Sequence, residues 1–76
     1  MTQAQIKKEM QTEFDECLAA MVGADTLDAM LMLTGAAIEV NKLMHNFDFI
    51  QRKQFLENLG HIERIASVTT EVVANE

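Results

Sequence analysis

No proline interrupts this chain, and glycine stands only at positions 23, 35 and 60. A sequence so poor in both has few of the turns that a β-sandwich or barrel requires, while little in it would break a long helix. The apolar spacing agrees. Ile6, Met10, Phe14, Cys17, Leu18 and Met21 recur at steps of three and four, with Lys7, Lys8, Gln11, Asp15 and Glu16 off that stripe. This predicts an amphipathic helix over about residues 2–22, capped by Thr2 and stopped at Gly23.

A second helix is expected over 26–46, begun by Asp25 or Thr26 and favoured by Asp28 in its positively polarised first turn. Its apolar residues make two adjoining stripes, Leu27, Leu31, Thr34 and Ile38 beside Met30, Leu33, Ala37, Val40 and Met44. A helix apolar around most of its circumference has to be covered on more than one side, so this one is the expected centre of the fold. Gly35 lies in its middle, where glycine weakens a helix. Either another helix crosses closely there or the position is a tolerated weak spot.

Asn46 and Asp48 mark the next turn, and Asp48 with Gln51 has the spacing of a capping box. From there Phe55, Leu59, Ile62, Ala66, Thr69 and Val73 continue the three-and-four rhythm, predicting a third helix over 48–74. Gly60 and the β-branched run from Val68 to Val73 work against it, but the spacing persists through both. The expected fold is all-α: one domain over 1–76, a three-helix antiparallel bundle joined by two short turns.

At 76 residues such a bundle buries only about 60% of the surface its unfolded chain exposes, so its own core is thin. A third helix longer than its neighbours would project from that core. Ile62, Ile65, Val68, Val72 and Val73 are therefore the residues expected to meet a second copy, making a symmetric homodimer the expected assembly.

The chemistry available is sparse. One cysteine cannot form an intrachain disulfide, and Cys17 falls among apolar residues, where an inert buried thiol is the ordinary outcome. His45 and His61 are the only histidines. Glu57 shares a helix face with His61, but no pair of ligands has the spacing of a two-helix metal site, so no metal is expected. Ser67 with His61, or Cys17 with a histidine, lacks a glycine-rich elbow or oxyanion hole, and no phosphate-cradling glycine motif is present. The chain is read as no enzyme, with no cofactor.

Charge narrows the partners. Twelve Asp and Glu against six Lys and Arg give a net charge of -6, which repels phosphate, and the pairs Lys7-Lys8 and Arg52-Lys53 are too few to bind nucleic acid directly. The longest apolar stretch, residues 29–38, is about half of a bilayer span, and Lys7, Lys8 and Glu9 have no apolar core after them as a secretory signal would. A cytoplasmic protein away from membranes is expected.

Two features could carry binding. Glu9, Glu13 and Glu16 form a carboxylate row on the first helix, and Phe47, Phe49 and Ile50 cluster at the second turn. The row is either a solvated face or a surface that meets a basic groove, such as the DNA-contacting face of a nucleic-acid-binding regulator. The cluster either caps the core or anchors a partner. The resulting expectation is a small acidic interaction module, a stoichiometric regulator or inhibitor of the antirepressor or antitoxin kind. A structural or adaptor subunit of a larger complex is the alternative.

Overall fold

The computed structural model describes residues 1–74 and places them in three helices, with no strand among them. Helix α1 spans Gln3–Val22, α2 Leu27–Asn46 and α3 Arg52–Ala74. Connections of four and five residues join helices of 20, 20 and 23 residues, so successive helices fold back antiparallel and α1 runs parallel to α3.

The caps explain the boundaries. The Gln5 N–H donates to Thr2 Oγ1 at 3.2 Å while the Thr2 N–H donates to Gln5 Oε1 at 2.8 Å, a reciprocal box that satisfies two free backbone donors. Thr26 does the simpler version for α2, its hydroxyl accepting from the Ala29 N–H at 3.1 Å. Gly23 ends α1 as expected, yet at φ -91° it uses no conformation that another residue would refuse.

The second turn departs from the expected capping box. Asp48 adopts φ 60°, the only left-handed non-glycine residue described. The Asp48 N–H donates to the His45 carbonyl at 3.0 Å, and the Phe49 N–H reaches back to Met44 at 2.8 Å. This pair of bonds is the Schellman arrangement, with an aspartate where glycine is usual, and it closes α2 instead of opening α3. Consequently α3 starts at Arg52 rather than 48, with the Gln51 carbonyl accepting from the Phe55 N–H at 2.9 Å.

Packing is centred on α2, which lies against both neighbours while α1 and α3 touch each other less. The core consists of Phe14, Cys17 and Met21 from α1, Ala37, Val40 and Met44 from α2, and Ile62 alone from α3. Only one of the two α2 stripes is sealed. Met30, Ala37, Val40 and Met44 are buried, whereas Leu27 and Leu31 stay exposed and Thr34 and Ile38 are half-covered. Gly35 faces open space, with no atom within 4 Å of where a Cβ would sit. That selects the weak-spot reading over a close helix crossing within the chain.

The third helix continues through its β-branched run, where Thr70 Oγ1 donates to the Ala66 carbonyl at 2.6 Å and so is satisfied within the helix. It continues through Gly60, where an added Cβ would meet only the Arg64 side chain at 3.6 Å.

The bundle is elongated, 44 × 24 × 13 Å, with a radius of gyration of 13.1 Å. A compact domain of this length would have about 11 Å. Its accessible surface is 5250 Å². A monomer of its mass ordinarily exposes about 4,650 Å². Roughly 600 Å² more than usual therefore faces solvent.

Candidate functional site

The carboxylate row stands on a firmly seated helix. Phe14, Cys17 and Met21 pin one side of α1 into the core, and Glu9, Glu13 and Glu16 are all exposed. Glu13 and Gln11 are two residues apart, about 200° around the helix, and Glu13 and Val22 nine apart, about 180°. The acidic row and the side of α1 that meets α3 therefore face different ways. Cys17 sits beneath the row, its thiol pushed above its ordinary range first by burial and then by Glu13 and Glu16. At neutral pH it is the protonated, unreactive form.

At the second turn, Phe47 is 56% exposed, and its ring stacks on that of Phe49 at 5.8 Å between centroids. Phe49 and Ile50 are half-buried and pack on the core. The cluster thus divides: Phe49 and Ile50 cap the core, and Phe47 presents an aromatic face to solvent.

The five residues expected to meet a second copy divide in the same way. Ile62 is buried inside its own chain, at 1% exposure, so it holds α3 to the bundle and offers no outer surface. Ile65 packs against the core and Val73 is half-covered. Val68 and Val72 are open, and Val22 of α1 joins them.

Two notches lie between α1 and α3, one at each end. The first, about 530 Å³, has a floor of Phe49 and Ile50 and a rim of Lys7, Gln11, Gln51, Lys53, Gln54 and one acidic residue, Glu57. The second, about 290 Å³, is lined by Val22, Ala24, Ile65, Val68, Thr69 and Val72. Both helices thus carry the same gradient on this face, from lysine and glutamine near their N-termini to valine near their C-termini. The gradient is visible in the sequence, but only the parallel placement of α1 and α3 makes it one surface.

The sequence reading also missed a buried amide. Asn41 interrupts the sealed stripe of α2 and is fully buried, its Nδ2 donating to the Phe55 carbonyl at 3.1 Å and its Oδ1 accepting from Asn58 Nδ2 at 2.8 Å. Gln54 extends the ladder by donating to Asn58 Oδ1 at 2.8 Å. His45 adds a ring stacked on Phe55 at 4.8 Å, with Nδ1 3.3 Å from the Ile50 carbonyl. A polar residue at step four from Ala37 and step three before Met44 was the available signal. These groups fix the start of α3 against α2, and none of them forms a reactive centre.

Among the described residues no group of three or more His, Cys, Asp or Glu is placed to hold a metal ion, and no helix is long and apolar enough to cross a membrane. Compared with protein-family models, with curated proteins and with solved structures, the chain matches none.

Proposed function

We propose that this chain acts by binding another protein: a small stoichiometric regulator that covers its partner's functional surface, in the manner of an antirepressor or antitoxin. The observation that carries the reading is the exposed row of Glu9, Glu13 and Glu16 on a helix whose adjoining side, Phe14, Cys17 and Met21, is locked in the core. Carboxylates on so rigid a support are preorganised, covering about 10 Å along the helix axis without having to be ordered on binding. They suit a partner with a basic recognition surface, where they would steer association and set specificity. Exposed Phe47 supplies an aromatic anchor at the far end of α2. No residue is given a catalytic role. The reading includes a homodimer, for which the surplus surface and the open Val68 and Val72 speak.

The test is a pull-down from the source cell with the wild-type chain and with Glu9→Lys/Glu13→Lys/Glu16→Lys, followed by mass determination of the complex. The regulator reading expects a defined complex that weakens at least tenfold on charge reversal and also with added salt. A partner retained equally by both chains favours the adaptor role. An activity abolished by His61→Ala or Cys17→Ala with folding intact would overturn both.

A further inference from the structure

We infer that the second copy in the homodimer lies antiparallel across the α1/α3 face, each copy's valine notch over the other's lysine notch. This rests on the dimer named above and specifies its geometry, which was otherwise open.

Three observations converge. The first is charge. Because α1 and α3 run parallel and α2 antiparallel, Lys7, Lys8, Lys42, Arg52 and Lys53 gather at one end of the molecule and outnumber Glu9, Asp48 and Glu57 there. Asp25, Asp28 and Glu71 gather at the other. Two copies overlaid tail on tail would press acidic ends together in a chain already at -6. An antiparallel overlay instead sets Lys7 near Asp25 and Lys53 near Glu71 of the second copy, twice over by symmetry, against one like-charge approach of Asp15, bonded to Gln11, to its own copy at the axis.

Area is the second. From Lys53 to Val72 the face runs about 28 Å and is two helices, about 20 Å, wide. That gives roughly 600 Å² in projection, close to the surplus exposed surface and approaching the ~800 Å² per partner of a standard interface. The valine notch alone covers about half of it, too little for a stable tail-to-tail contact. The third is apolar matching. Val22, Val68 and Val72, 68%, 61% and 55% exposed, would lie over the half-buried Phe49 and Ile50 and the methylene stems of Lys7 and Lys53. The helices would then form a four-helix layer, α1 on α1 and α3 on α3, with each α2 outside and the Glu9-Glu13-Glu16 row free.

The twofold axis then crosses α3 midway between Lys53 and Glu71, where exposed His61 lies one residue from the midpoint and exposed Arg64 two. Oxidation of His61→Cys should therefore cross-link the chain to itself, while Val68→Cys should not. In sedimentation equilibrium, Lys53→Glu and Glu71→Lys should each weaken the dimer about tenfold, and the double swap should return it to within about threefold of wild type. All four positions are exposed, and circular dichroism checks that the helices persist. A chain monomeric at every concentration overturns the dimer itself. A dimer that cross-links through Val68→Cys but not His61→Cys, or that ignores both charge reversals, leaves the dimer standing and overturns this geometry. A dimer broken only by Glu13→Lys would place the contact on the acidic row and overturn it equally.

Discussion

The two ends of the bundle are built on different physics. At the α2/α3 turn a Schellman closure, an Asn41-Asn58-Gln54 ladder and a His45-Phe55 stack fix the first turns of α3 to α2. At the opposite end the last two turns of α3 bury only Thr69, and Val22, Val68 and Val72 face solvent. Directional bonds specify one geometry and leave little for a partner to gain. Uncovered valines do the reverse, because burying each branched side chain fully yields about 1.5–3 kcal/mol. The molecule is finished where its polar groups are satisfied and unfinished where its apolar groups are not.

The sharpest way to break that comparison uses the same residue at both ends. Met44 and Met30 are equally buried, at 1% and 3%, but Met44 belongs to the sealed cluster whereas Met30 borders an open groove with Leu31, Thr34 and Thr70. Met44→Ala should cost about 3–4 kcal/mol, near the middle of the range for such truncations, and Met30→Ala about 2 kcal/mol because its surroundings can collapse or admit water. Urea titration of both variants gives the difference directly. Equal losses would mean that the open end is packed as tightly as the closed one.

Next in size is the amide ladder. Asn41→Ala leaves Asn58 Nδ2 without its acceptor and removes the donor to the Phe55 carbonyl, for an expected loss of about 2 kcal/mol. Asn58→Ala, whose side chain is less buried, should cost about 1 kcal/mol, and the double variant should fall short of the sum because the two share one bond. Strict additivity in that cycle would deny the Asn41-Asn58 bond any role in fastening α3.

How far the sequence could be read follows the same division. Apolar spacing is a local signal, and it placed all three helices, the Thr2 and Thr26 caps and the inward stripe of Ile62 and Thr69. It put α2 rightly at the centre but not the extent of its cover, because two adjoining apolar stripes announce the need for cover without saying whether the chain itself supplies all of it. Leu27 and Leu31 remain exposed for that reason. The start of α3 was misplaced because Asp48 suits both a helix N-cap and a left-handed C-terminal residue, and the bonds to His45 and Met44 that decide between them are fixed by where α2 ends. Of the candidate surfaces, the Glu9-Glu13-Glu16 row was legible as a helix-face pattern. The notches were not, since they depend on which residues of α1 and α3 are brought side by side.

Asp48 offers the next test. A residue with a Cβ held at φ 60° is strained by about 1–2 kcal/mol, somewhat less for aspartate, whose short side chain eases that region. Asp48→Gly relieves the strain but loosens the unfolded chain, leaving an expected gain of about 0.5–1 kcal/mol. Replacement by Val at the same position should lose at least as much. A destabilised glycine variant would show that the aspartate side chain contributes something beyond tolerating the turn.

Gly35 carries the smallest expected effect. It sits in mid-α2 with no neighbour within 4 Å of where a Cβ would sit, so within one chain Gly35→Ala has nothing to collide with. Alanine should raise stability by about 0.5–1 kcal/mol through its better helix propensity, measurable as a shift in the urea midpoint at unchanged slope. The same variant separates the two faces of the molecule. Gly35 lies on the outer side of α2 with exposed Leu31 and Met32, away from the α1/α3 face, so dimerisation should be unaffected by the added methyl. If alanine stabilised the monomer yet weakened the dimer, the exposed side of α2 would be the surface that a second helix crosses, and the unfinished part of this bundle would be its centre rather than its end.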